Sequence, residues 1–171
     1  INNLSATSLS ALNGAAIGAI TTSVLASLSS DQISNLSTSQ ISALTSFQIQ
    51  ALTTAQVNAM HADQIASISA SGVSALTTTQ ITGLTAAIDL LAGLSTAQIP
   101  ALSAANVAIL TANQLNALST TQINSLSATQ AKALSGTQIT ALTTENLVAL
   151  SSSAIANLST SALSTISTTQ L

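Results

Sequence analysis

Charged side chains are almost missing from this chain: Asp31, Asp63, Asp89, Glu145 and Lys132 are the only five in 171 residues, and there is no arginine. A single lysine and a net charge of -3 provide no basic patch to neutralise phosphates, which argues against nucleic-acid or anionic-membrane binding. Cysteine is absent and His61 is the only histidine, so neither a conventional zinc, haem or iron–sulfur ligand set nor a thiol nucleophile is encoded. There is no Trp or Tyr, one phenylalanine (Phe47) and one proline (Pro100). The six glycines are scattered and form no phosphate-cradling loop. No apolar run approaches the roughly 18 residues needed to cross a bilayer.

Catalytic groupings are missing too. No two acids fall in neighbouring repeats, so a general acid/base pair is not expected, and the carboxylates are too dispersed for a calcium array. The many Ser and Thr hydroxyls have no base to activate them apart from His61. The chain is therefore expected not to be an enzyme. It is also expected to hold no cofactor or metal, bind no small-molecule substrate or nucleic acid, and insert into no membrane.

What the chain does have is a repeat. Large apolar residues recur every eight positions, from Leu4 through Leu12, Ile20 and Leu28 to Leu84, and after a two-residue insertion from Leu94 to Ile166. The residue after each of these 21 rungs is Ser or Thr in 19 cases, Asn13 and His61 being the exceptions. Four residues later stands a second aliphatic anchor, again in 19 of 21 units, with Asp89 and Ala131 departing. Gln most often precedes that anchor. The unit is Leu-[Ser/Thr]-x-x-Gln-Ile-x-Ala, as in Leu36 to Ala43. The high apolar content, 47% with a mean hydropathy of +0.59, is opposite to the low-hydrophobicity, high-charge signature of disorder.

Eight residues of continuous helix rotate by roughly 800°, so the ladder would drift around one long helix and leave it apolar on all sides. Each unit instead carries a complete helix start. Ser or Thr followed three residues later by Gln, as in Ser37 and Gln40 or Thr53 and Gln56, is a capping box. Leu36 before the cap and Ile41 within the helix form the matching hydrophobic staple. Asp31, Asp63 and Glu145 fall at the second helical position and Lys132 near a helix end, which suits the helix dipole. The pattern predicts an all-α repeat, a tight solenoid of very short capped helices, one per unit. Two anchors point inward, and Ser, Thr and Asn point outward. Such helices cannot stand alone, so stability must come from stacking. The alternative is a β-solenoid or stacked β-fibre, because odd spacings of five and three would put Leu and Ile on opposite strand faces. Phased capping boxes and a scarcity of turn glycines favour helices.

Residues 1–171 read as one array, and chain ends that fall within units suggest a segment of a longer one. Residues 85–94 form an irregular ten-residue unit with Asp89 in place of an anchor and Gly93 as its expected terminator. Pro100, at the fifth helical position, removes a donor and should distort its unit. His61 occupies a cap position. Asp89 and Phe47, which lies at an outward position, are the candidate assembly contacts.

The octads Leu-Ser-Thr-Ala-Gln-Ile-Pro-Ala (94 to 101) and Leu-Thr-Thr-Ala-Gln-Val-Asn-Ala (52 to 59) resemble the "ALTxxQI" arrays of very large secreted bacterial proteins, often labelled haem-utilisation or adhesion proteins. The resemblance implies an extracellular, cell-surface or biofilm role; it transfers no haem site, since His61 has no second axial ligand. With the uninterrupted ladder, it leads to the expectation of a structural protein that self-associates as the body of an extracellular filament or surface stalk. The alternative is ice binding, or other flat-surface recognition, through rows of Thr and Ser hydroxyls such as Thr77-Thr78-Thr79.

Overall fold

The computed structural model describes residues 5–83, 91–168 and 170. They fall into two compact units, Ile1–Gly93 and Leu94–Leu171, whose boundary in sequence is the end of the ten-residue unit. Each is all-helical, and no strand occurs among the described residues, so the β-solenoid alternative is set aside. Helices of four to six residues recur at every octad, from Ala6–Ser10 to Thr78–Thr82 in the first unit and from Ala104–Ala108 to Thr160–Leu163 in the second.

Each helix begins and ends for reasons visible in its own octad. The cap residue is extended (Ser37, φ -71° and ψ 159°) and its hydroxyl accepts from the backbone N–H three residues on. The Gln side chain answers by accepting the cap residue's own N–H, Gln40 Oε1 lying 2.8 Å from Ser37 N. Reciprocal boxes of this kind occur at Ser29, Ser37, Thr45, Thr53 and Thr77, and again at Thr111, Ser119, Ser127 and Ser135. The helix stops because the next rung is extended, as at Leu52 (φ -60°, ψ 137°), and leads directly into the next cap. No glycine in the left-handed region is used for this, and no described residue has a positive φ. Gly93 is the last residue of a helical stretch, residues 91–93, and ends it without a positive φ.

Packing follows one rule within each unit. The helix Thr38–Ser42 rests between Gly14–Gly18 and Ala62–Ser67, three octads to either side, and Ser46–Ala51 rests between Thr22–Ala26 and Ala70–Ser74. In the second unit Ala128–Ala133 lies between Ala104–Ala108 and Ser152–Asn157 in the same way. Hydrogen bonds between neighbouring turns span 25, 28 and 31 residues. One superhelical turn is therefore close to 28 residues, or three and a half octads. Among the described residues, second anchors from Leu9 to Ile139 are at most 2% exposed, and the rungs between Leu28 and Leu150 are nearly as well buried. Burying one such aliphatic side chain stabilises by about 1.5–3 kcal/mol, so each octad contributes two anchors toward an array that no single helix could sustain.

Pro100 distorts its unit as expected. Without a proline N–H to bond Thr96, the segment tightens into the 3₁₀ helix Ile99–Ala101, where Ala101 N bonds Gln98 O at 2.9 Å. The disturbance stays local: Ile99 and Leu102 remain buried.

Candidate functional site

The feature that the outward/inward division of the sequence left unassigned is the glutamine at the third helical position. It is a core residue. Gln40, Gln48, Gln56, Gln64 and Gln80 in the first unit, and Gln114, Gln122, Gln130 and Gln138 in the second, are 1–7% exposed. Asn106 and Asn146 occupy the same position and are likewise buried, a correction to the expectation that Asn points outward.

Burying an amide requires that its hydrogen-bonding groups be paired. The oxygen is paired by the capping box. The nitrogen donates across to the preceding turn: Gln56 Nε2 lies 3.0 Å from Leu25 O and 2.7 Å from Leu28 O. Gln40, Gln48, Gln64, Gln80, Gln130 and Gln138 repeat the pattern, each reaching carbonyls 31 and 28 residues earlier. Those carbonyls belong to the second anchor and to the following rung, at the C-terminal end of a helix that has spent its own N–H groups. Each glutamine thus closes the start of its own helix and the end of another. The short helices leave an unusually large share of end groups, and this one residue type serves both ends. The ladder also has a direction, since third-position side chains face the preceding turn.

Asparagines at the fifth helical position form an outer clamp in the opposite direction. Asn116 donates to Ala141 O (2.8 Å), and its Oδ1 accepts from Thr143 N (3.0 Å). Asn124 and Asn58 donate in the same way to Ala149 O and Gly83 O.

Outward positions carry hydroxyls that pair with one another, as in Ser37 with Ser39 and Ser119 with Thr121, both at 2.9 Å. Asp31, Asp63 and Glu145 lie in first turns and Lys132 in a last turn, in the dipole-matched positions read from the sequence. His61 keeps the cap backbone (φ -81°, ψ 161°) without a side-chain cap bond, while Gln64 Oε1 still accepts its N–H at 2.8 Å. Of the two candidate assembly contacts, Phe47 is 74% exposed on the helix Ser46–Ala51. Asp89 lies outside the described residues.

Sequence reasoning missed a second apolar surface. Val148 is 70% exposed, and the second anchors Ile155 and Leu163 are 43% and 41% exposed. With Leu147, Leu158, Ile166 and Gln170, Val148 and Ile155 line an open apolar cavity of about 260 Å³. The only available signal was three successive units with Asn146, Ala154 and Ala162 where Gln is usual. No helix among the described residues is long and apolar enough to cross a membrane.

The family described as the ALTTAQ repeat matches four times, at residues 17–46, 38–70, 89–120 and 112–144, so that well over half of the chain is covered. Comparison with curated proteins and with solved structures gave no match.

Proposed function

Because the chain belongs to the ALTTAQ repeat family, and its turns are joined by one repeated contact, we propose that it is a structural array that self-associates as the body of an extracellular filament or cell-surface stalk. The observation that carries this reading is the glutamine ladder. A contact that recurs at fixed separations of 28 and 31 residues lets turns be added without a new kind of interface, which is what a spacer or filament requires. Near-absence of charge removes the repulsion that would oppose association between copies. In this reading the protein performs no catalysis, and its adhesive or biofilm role is mechanical, holding matter away from or onto a surface.

Ice or flat-surface recognition is less well supported. A receptor surface of that kind needs free, uniformly spaced hydroxyls, whereas several outward Ser and Thr groups here bond to each other or to their own helix carbonyls. Electron cryo-microscopy of the undenatured material tests the structural reading. Ordered filaments with short helices at an eight-residue repeat are the expected result. Dispersed particles together with thermal hysteresis would transfer the function to surface recognition.

A further inference from the structure

Within each unit, one contact between adjacent turns is used repeatedly. Gln48 reaches Ile17 and Ile20, Gln80 reaches Ile49 and Leu52, and Gln138 reaches Val107 and Leu110, always at 31 and 28 residues. Each of these bonds joins a turn to the one before it. The helix start, by contrast, is complete inside one octad: Thr53 N donates to Gln56 Oε1 at 2.8 Å, and Gln56 N donates to the Thr53 hydroxyl at 3.2 Å. An octad thus carries its own folding signals and borrows only its docking surface from the turns beside it.

We infer that the winding is a yielding device: under tension the chain leaves the solenoid one octad at a time and returns when tension falls. This rests on the stalk or filament reading, because a stalk is where tension arises, and it gives that stalk its response to load.

The size of the released piece follows from helix length. Helices of four to six residues cannot persist without neighbours, so an octad that undocks also unfolds, and no half-released state is stable. Removing one octad bares the next in the same condition, with the same two anchors and the same amide bonds. The force needed therefore repeats along the array instead of building to a single rupture. With cysteine absent, no disulfide pins one turn to another.

The gain in length is large. Packed helices lie about 8–10 Å apart, so a turn of three and a half octads advances about that far and one octad accounts for about 3 Å of it. Drawn out, eight residues span about 26–29 Å. Each release thus adds about 25 Å to the array, several times the octad's folded share. Return is templated, because the turn left behind still presents its carbonyls, as Leu25 O and Leu28 O do to Gln56.

Optical tweezers holding the 171-residue chain by its two ends test this. Contour-length steps of about 25 Å are expected, recurring at similar force and retraced on relaxation. Gln64→Met is expected to shift one step at least tenfold toward the open side without changing its size, and Gln50→Met to leave every step as it was. If Gln64→Met fails to fold, the step size of the wild-type chain decides alone. Release in whole turns of about 90 Å, loss of a whole unit in one event, or failure to rewind would overturn the device and leave the filament reading standing. Reversible octad steps in a chain that electron cryo-microscopy shows only as dispersed particles would uphold the device and remove the filament.

Discussion

Gln64 Nε2 donates to Leu36 O at 2.6 Å, across 28 residues of sequence and one turn of the solenoid. The same amide donates to Ile33 O at 3.1 Å and, through Oε1, accepts the N–H of His61 at 2.8 Å. A helix of five or six residues has about as many orphan end groups as satisfied ones. A side chain that serves two helix ends at once is therefore worth more here than in a long helix. It also fixes register, because the donor reaches its two carbonyls only when the turns are aligned at 28 and 31 residues.

Replacing Gln64 by Met keeps the volume of the side chain and deletes all of these bonds. At about 0.5–1.5 kcal/mol for each net hydrogen bond, with carbonyls and a cap N–H left unpaired in a buried site, the array should lose about 2–4 kcal/mol. Gln50→Met, at an exposed position of the helix Ser46–Ala51, should cost less than about 0.5 kcal/mol. Urea denaturation of the two variants side by side measures the difference. Equal losses would show that burial of the stem, and not the amide bonds, secures the turns.

His61 offers a test of opposite sign. Its backbone already has the cap conformation and Gln64 already accepts its N–H, yet its imidazole makes no cap bond. His61→Ser supplies the missing hydroxyl to the N–H of Gln64, as Thr53 does for Gln56 at 3.2 Å. A good cap contributes about 0.5–2 kcal/mol, so the variant should unfold at higher urea than the parent. A midpoint unchanged or lowered would mean that the imidazole contributes packing outweighing the cap.

The capping boxes, the staple and the eight-residue period were readable because each is a local device within one octad. Ser37, Gln40, Leu36 and Ile41 specify a helix start without reference to any distant residue. The second role of Gln40 was not readable. Its donors reach Leu9 O and Leu12 O, and that pairing depends on three and a half octads per turn, a quantity set by how closely helices approach after folding. Exposure of Ile155 and Leu163 was hidden for the same reason, since both stand at regular second-anchor positions and only Ala154 and Ala162 in place of Gln set their octads apart. Pro100 was legible because its effect, a missing N–H, is local again.

Pro100→Ala restores that N–H in a segment followed by the α-helix Ala104–Ala108. Pro100 is exposed, so little packing changes. The α-helical bond to Thr96 O can then form in place of the 3₁₀ turn. Removing an interior proline relieves about 3 kcal/mol of helix cost, offset by about 1 kcal/mol of added freedom in the unfolded chain. A net gain of about 1–2 kcal/mol is expected in denaturant unfolding, accompanied by slower amide exchange at Ala101 and Leu102. Faster exchange there would show that the tightened turn is the better fit to its neighbours.

Among the described residues, Gly72 is the one break in the ladder between Gln40 and Gln80, and its cause lies four residues before it. A Cβ at Gly72 would stand 2.7 Å from Ile68 Cγ2 and 3.1 Å from Ile49 Cγ1. Most rungs are leucine, whose branch lies one carbon further out; the β-branched Ile68 places a methyl where the third-position side chain must begin. Gly72→Gln alone should therefore gain little or lose stability, because the new amide bonds are offset by displacement of Ile68. With Ile68→Leu the same substitution regains both the space and the ladder, with donors directed at the carbonyls 28 and 31 residues earlier, those of Leu44 and Ile41. The double variant should exceed the sum of the two single changes by about 1–2 kcal/mol. A double-mutant cycle in urea measures that coupling. Simple additivity would mean that Ile68 turns aside freely and that Gly72 is there for some reason other than the methyl beside it.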